Sequence, residues 1–362
     1  MMTQPNTVPR TNGGRAAARL ATYLRSEITE GRIPAGQFLR TERQLAADHG
    51  IARMTVRRAL KTLESEGLVG AEPRHGYRVL ARATDPDRGF PVAYVLGAPA
   101  GAKTWDGLHS GILNSFQRAA DVRGWSVLAV NSGERAQAEV MEQLGAARVA
   151  GVALDTIDRE LIDQVRRAGM PAVMVDAWLE DAPFDLILQD NYRGAYLAAQ
   201  HLVERGHKRI AWMGSIGETG HSRERFAGAV AALIAAGLEL PPEMRCRTGD
   251  ADCREKAREM LGRADRPTGI IAPWRGISLA LAAEAADQGL VLGRDLDIVG
   301  WCPEEDYEDY RRRAAEHGPV PPAVVWSIDH MARMGISRLS ERRRDLYLPP
   351  IRLSVPTRLR EG

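Results

Sequence analysis

Residues 51–69 read IARMTVRRALKTLESEGLV. Val56, Ala59, Leu60 and Leu63 recur at the spacing i, i+3, i+4 and i+7, which predicts a helix with one apolar face. Met54, Arg57, Arg58 and Lys61 crowd the other side. A cationic helix face is by default a solvated surface, so the flanking sequence decides what this one is for.

Upstream, Ala17, Leu20, Leu24 and Ile28 form a first apolar stripe, and Gly31 stands where a helix C-cap belongs. TERQLAADHG follows, with Thr41 and Gln44 spaced as a capping box, Leu45 and Ala46 facing inward and Gly50 closing the helix. The bend Gly50-Ile51-Ala52 leads straight into the opening helix, so the pair reads as a helix-turn-helix. After Gly67 the period changes to two: Leu68-Val69, the turn PRHG, then Tyr77 to Leu80, a β-hairpin wing. In such a unit the apolar face docks on the first two helices and the arginines point outward. A major groove admits one helix, and guanidinium groups fork onto guanine or phosphate. Arg53, Thr55 and Arg57 on the first turns would enter first, where free N–H groups also favour phosphate. His75 and Gly76 at the wing tip suit close approach to a backbone, although His75 also reads as a plain turn residue.

Charge is distributed to match. The 362-residue chain has a net charge of +2, yet residues 10–82 hold 14 Lys/Arg against 7 Asp/Glu. An anionic partner is expected for this segment alone. Cys246, Cys253 and Cys302 are few and not spaced as zinc pairs, which fits a reducing cytosol. Met1 to Gly14 is polar and reads as a disordered tail, neither signal peptide nor anchor. The longest apolar run, near 226–240, is too short to span a bilayer. A cytoplasmic, nucleoid-associated protein without membrane, cofactor or metal is expected.

The segment from about 17 to 80 resembles the winged helix-turn-helix of the GntR family of bacterial transcription regulators, through EGRIPAGQFLRTERQLA, IARMTVRRALKTLESEGLV and RHGYRV. The resemblance implies that Arg43, Arg53, Thr55, Arg57 and the His75-Gly76 tip touch DNA, with Arg58 on the same face. Two positions depart from the family. Its Leu-Pro-Ser-Glu reads Leu39-Arg40-Thr41-Glu42, and its Ser before the recognition arginine is Ala52, losing a cap worth about 1 kcal/mol.

Beyond the charged, Pro/Gly-containing stretch ARATDPDRGFP, apolar runs at 92–97, 125–131, 149–155, 171–176, 208–214, 268–273 and 296–301 alternate with helical patterns. This predicts an α/β body with parallel strands in two sheets, and ligands at the strands' carboxyl ends. The body, from about 91 to 358, resembles the effector-binding domain of LacI/GalR regulators, a two-lobed periplasmic-binding-protein-like fold. MPAVMVD, QDNYRGAYLAAQHLVERGHKRIAWMG and RERFAGAVAAL carry the likeness. A GntR head on such a body is the arabinose-repressor-like architecture. The boundaries expected are a tail at 1–14, the head at 15–82, a linker at 83–91 and the body at 92–362.

The resemblance places Asp176 and Arg225 at the effector cleft. The family's Asn-Asp after the next strand reads Trp274-Arg275, and the Asp of its Gly-Phe-Asp-Asp reads Cys302, after Trp301. Trp105, Trp178, Trp274 and Trp301 are all read as following strands, so Trp105, Asp176, Arg225, Trp274, Arg275 and Trp301 form the expected effector site. Indoles bind flat faces and the arginines favour an anion, so the effector is expected to be a sugar, a sugar acid or another anionic metabolite. A body whose tryptophans merely fill a closed cleft, and which serves only for dimerisation, is the alternative. HSGIL (109–113) lacks a nucleophile elbow, phosphate-binding glycine motifs are absent, and His201 and His207 lack metal-ligand spacing, so no enzyme is expected. The sequence therefore predicts a dimeric, double-stranded-operator-binding transcription regulator of repressor type, tuned by a small molecule.

Overall fold

A computed structural model of the chain describes residues 13–29, 32–34, 36–72, 75–80, 90–97, 107–133, 135–249 and 251–362. The tail at 1–12, Gly31, the turn residues Pro73 and Arg74, linker residues 83–89 and Trp105 lie outside them. The chain forms two compact units, one of residues 1–90 with 121–125 and one of the remainder.

The head runs α1 (Gly13–Thr29), α2 (Glu42–His49), α3 (Arg53–Ser65), β1 (Val69–Glu72) and β2 (Gly76–Val79). Its core is the apolar stripe of each helix: Leu20 and Leu24 from α1, Leu45 from α2, and Val56, Ala59, Leu60 and Leu63 from α3. Thr41 accepts from the Gln44 amide while the Gln44 side chain takes the Thr41 amide, so the capping box forms, and Gly50 closes α2. Ala52 at the start of α3 supplies no side-chain cap. Ala52→Ser should therefore raise the head's stability by about 1 kcal/mol, seen as a higher denaturant midpoint with unchanged slope. The wing pairs Val69 with Val79 and Glu72 with Gly76 antiparallel. A feature absent from the sequence reading joins it. Gly36 and Leu39 donate to Val79 and Tyr77, and Val79 donates to Gln37, so residues 36–39 add a third, edge-forming stretch.

The body runs β3 (Pro91–Leu96), α4 (Gly107–Asp121), β4 (Ser126–Asn131), α5 (Gln137–Ala146), β5 (Val152–Asp155), α6 (Arg159–Arg167), β6 (Ala172–Val175) and β7 (Asp185–Gln189). It continues through α7 (Asn191–Glu204), β8 (Ile210–Met213), α8 (Gly220–Ala235), β9 (Arg245–Cys246), α9 (Cys253–Leu261), β10 (Gly269–Ile271) and α10 (Arg275–Asp287). It ends with β11 (Asp297–Pro303), α11 (Tyr307–Ala315), β12 (Ala323–Trp326), α12 (Ile328–Arg344), β13 (Arg352–Val355) and β14 (Arg358–Arg360). One sheet has the order β4-β3-β5-β6-β7-β13 and the other β9-β8-β10-β11-β12-β14. The first is parallel throughout. In the second, β14 runs antiparallel to β12, a departure from the all-parallel expectation. The chain enters β14 directly from β13 of the other sheet, so no βαβ unit of its own sheet obliges it to run parallel.

The chain passes between the sheets three times, after Gln189, after Trp326 and after Val355. The first and third crossings are clasped together: the Asp190 amide donates to Val355 O at 2.9 Å, and Thr357 Oγ1 donates to Asp190 O at 3.3 Å. Helix α12 returns to pack on the first sheet and is anchored there by Asp185, which is fully buried. Its carboxylate accepts from Arg342 Nε at 2.6 Å and from the Ile351 amide at 2.8 Å, and lies 2.9 Å from Arg338 Nε.

Candidate functional site

In the head, α3 buries Val56, Ala59, Leu60 and Leu63 and turns Met54, Arg57, Arg58 and Lys61 outward. Thr55 is half-buried on the same first turn. Arg43 and Arg58 are exposed, with no side-chain partner among the described residues. Arg57 is held: its Nε and Nη2 each donate to the Glu42 carboxylate at 2.9 Å, and Arg53 lies 3.7 Å from the same group. Glu42 thus ties α2 to α3, and the Arg57 hydrogen bonds draw its carboxyl below the usual range despite partial burial. Nothing in the local sequence around Glu42 marks this role, since Arg57 lies 15 positions away. At the wing, Gly76 has a φ of +101°, which a Cβ would strain. His75 sits against Phe38 with ring centroids 5.9 Å apart, and the Arg78 guanidinium lies 5.6 Å from the Phe38 centroid.

In the body, the carboxyl ends of the first sheet meet the start of α8 from the second lobe. Thr219 and Ser222 cap α8, fixing which residues of its first turns face the other lobe. His221 Nε2 lies 3.2 Å from Asp176 Oδ1, an ion-pair distance without an aligned hydrogen bond. Trp178 rests on Gly220, where a Cβ would come within 2.0 Å of the indole, and Arg223 lies 4.9 Å from the ring centroid. Arg225 is buried, and each of its three nitrogens donates a hydrogen bond. Its Nε donates to Asn191 Oδ1 at 2.7 Å, its Nη2 to Gln189 Oε1 at 2.9 Å, and its Nη1 to the Pro273 carbonyl. The guanidinium also lies 4.1 Å from the Trp301 ring and 5.1 Å from Trp274. Trp301 belongs to β11 rather than following it, is 3 % exposed, and packs where a Cβ on Gly194 would meet it at 2.4 Å. Arg275 faces elsewhere and pairs with Asp306 at 3.0 Å.

Of the expected effector residues, the structure thus brings Asp176, Arg225, Trp274 and Trp301 into one neighbourhood. Arg275 is committed to Asp306, and Trp105 is outside the described residues. Each nitrogen of Arg225 already donates within the protein, so its guanidinium is not the unpaired cation that would by itself call for an anion. Cys302, where a family aspartate was expected, is buried, and burial pushes its thiol up to about 12, so it is no thiolate.

Sequence reasoning missed the polar groups at the first lobe's edge. Asp155 ends β5 as Asp176 follows β6, a repeated strand-ending aspartate that the sequence does display. Tyr94 donates to Asp155 Oδ2 at 2.6 Å, and His109 from α4 lies 3.9 Å from the same oxygen. Burial pushes the Asp155 carboxyl up to about 7, with His109 opposing and Asp176 reinforcing the shift. For Asp176, burial acts upward too, but His221 and Gln189 outweigh it and its carboxyl falls below the usual range. The folded state therefore holds the Asp155 proton more tightly than the unfolded chain does. Stability should fall as pH rises from about 4 to about 7 and then level off. Asp155→Asn should remove that slope and stabilise the protein at pH 8 by on the order of 1–3 kcal/mol, read from thermal unfolding across pH.

A capped, outwardly cationic helix-turn-helix with a wing, followed in the chain by a two-lobed α/β body with a polar cluster at its strand ends, defines a two-part regulator-like architecture. The chain belongs to the family of periplasmic binding proteins and sugar binding domain of LacI family, whose model matches residues 104–287, and its head matches the bacterial regulatory proteins, gntR family, over 16–79. Among relatives, the HTH-type transcriptional repressor PurR of Photobacterium profundum is 28 % identical, covering 46 % of this chain and 51 % of that one. The chain spans about half the length of the PurR repressors it matches. The arabinose metabolism transcriptional repressor of Halalkalibacterium halodurans is 22 % identical but aligns over 89 % of this chain and 88 % of its own. Two solved structures share the fold. The transcriptional regulator CelR–cellobiose complex has a TM-score of 0.64 at 23 % identity, covering 89 % of this chain and 98 % of that one. The lac repressor dimer bound to operator and the anti-inducer ONPF has a TM-score of 0.62 at 20 % identity, covering 75 % and 93 %. Among the described residues, no helix is long and apolar enough to cross a membrane.

Proposed function

We propose that this protein is a DNA-binding transcription regulator of repressor type whose operator affinity is set by a small molecule held between the lobes of its body. The observation that carries the reading is α3, apolar inward and cationic outward, seated on a capped α2 and followed by a wing. Phosphate contacts from Arg43, Arg58 and the wing would position the head, and Arg53, Thr55 and Arg57 would read base edges. Glu42 on α2 holds the Arg57 guanidinium across the two helices until a base or phosphate takes its place. Arg57→Ala should weaken binding to a selected operator about tenfold to a hundredfold, measured by fluorescence anisotropy at fixed salt. Unchanged affinity would remove the assignment of α3 as the recognition helix.

For the effector, Asp155 and Asp176 supply carboxyl oxygens at the lobe boundary with the His109 and His221 rings beside them, while both candidate arginines already bond within the protein. Within the expected range of sugars, sugar acids and other anionic metabolites, this chemistry favours a hydroxyl-rich, uncharged ligand. A carboxylate or phosphate would face two aspartates, with the guanidinium groups of Arg225 and Arg275 already drawn into bonds within the protein. A thermal-shift panel on the full chain, pairing neutral sugars with their acid and phosphate derivatives, checks this. Stabilisation confined to the anionic members would reverse the preference. The lac repressor structure of the same fold is a dimer bound to operator, which favours a homodimer presenting two heads to a two-fold site; sedimentation at micromolar concentration gives the test.

A further inference from the structure

Gln189 is the last residue of β7, immediately before the first crossing between the lobes, and is 2 % exposed. Its side chain is used at both ends. The amide Nε2 donates to Asp176 Oδ1 at 3.2 Å, within the first lobe. The carbonyl Oε1 accepts from Arg225 Nη2 at 2.9 Å and from Trp301 Nε1 at 3.0 Å, both of the second lobe. Arg225 returns to the crossing itself, donating to Asn191 Oδ1. The residue between them, Asp190, caps α7 through the Arg193 amide and is bonded to the third crossing at Val355 and Thr357.

We infer that Gln189 is the positioning residue that transmits occupancy of the Asp176 side of the cleft to the crossings that set the angle between the lobes. The inference rests on the reading of an effector bound between the lobes. An incoming donor that claims Asp176 Oδ1 competes with Gln189 Nε2. An amide released from Asp176 is free to turn, and its Oε1 is the acceptor shared by Arg225 and Trp301. Both second-lobe groups then lose their common anchor, one residue from the hinge. No other described side chain bonds Asp176 and both second-lobe groups at once.

The test needs no identified effector. Gln189→Glu keeps the acceptor for Arg225 and Trp301 and, as an ionised carboxylate, cannot donate to Asp176; measured at alkaline pH, where the two carboxyls do not share a proton, it cuts one link and spares the other. Adding Asp176→Asn restores a hydrogen bond of reversed polarity, from the Asn amide to the Glu carboxylate. Using the full chain and an operator obtained by selection, Gln189→Glu should shift half-saturation by at least about fivefold and speed amide exchange over residues 186–192. The double variant should return to within about twofold of wild type in both measurements. Gln189→Asn, which retracts the amide by one methylene, should shift operator binding in the same sense and serves if the Glu variant does not fold. Wild-type behaviour of the single variants, or no recovery in the double, overturns the inference while leaving the regulator reading intact. Failure of the wild-type chain to select any duplex would instead overturn that reading.

Discussion

Replacing Asp185 with Ala should destabilise the body by about 3–5 kcal/mol, among the largest losses a single substitution here can cause. The carboxylate is fully buried beneath Arg338 and Arg342 of α12 and also accepts the Ile351 amide. Removing it leaves the Arg342 guanidinium without its anion, Arg338 with Glu341 alone, and the Ile351 amide without an acceptor. The same residue predicts an acid limb. Burial acts upward on its carboxyl, yet Arg342 and Arg338 outweigh burial and hold it below the usual range. A group with a depressed folded-state pKa stabilises above its unfolded value and loses that contribution as pH falls through the carboxylate range. Chemical denaturation of wild type and Asp185→Ala from pH 7 to pH 3 should show the gap between them narrowing with acid. A constant gap would mean that packing, not charge, holds α12 in place.

Arg225→Ala should cost about 3 kcal/mol of stability as well, a result the sequence alone would not suggest. Read from sequence, Arg225 is a ligand contact whose loss spares the fold. In the structure its donors reach Asn191, Gln189 and the Pro273 carbonyl, and its flat face lies against Trp301. Truncation takes the Arg225 donor from Asn191 Oδ1 and the Pro273 carbonyl, leaves Gln189 Oε1 with Trp301 alone, and opens a gap beside the indole. Calorimetry on the full chain should show the body transition falling markedly, with intrinsic Trp emission shifting to longer wavelength as Trp301 gains water. A variant that unfolds like wild type would return Arg225 to the ligand.

The contrast between head and body explains how much was legible. In the head the deciding signals are local: Thr41 and Gln44 are three residues apart, and the stripe Val56-Ala59-Leu60-Leu63 declares its own face. Only the edge stretch 36–39 escaped, because Gly36 to Leu39 bond to the wing across some forty positions. In the body, seven continuous apolar runs revealed the sheets, whereas β7 is bounded by Asp and Gln and β13 alternates Arg-Leu-Ser-Val, so neither shows such a run. The site was the least legible part. Gln189 joins Trp301 across 112 positions, and Asp155 takes Tyr94 across 61, so only the fold makes them neighbours. Arg225 and Asp176 were found through family likeness, but likeness gave no sign that Gln189 and Asn191 had already taken the arginine.

The central claim, that α3 reads duplex DNA for a regulator with this body, is tested most directly by in vitro selection from random duplex DNA. The full chain and an Arg53→Ala/Arg57→Ala variant would be carried through in parallel at fixed salt. The account predicts that wild type enriches a sequence with two-fold symmetry, and that the variant, still folded by circular dichroism, enriches none. Enrichment of the same sequence by both proteins, or of no sequence by wild type, would contradict it.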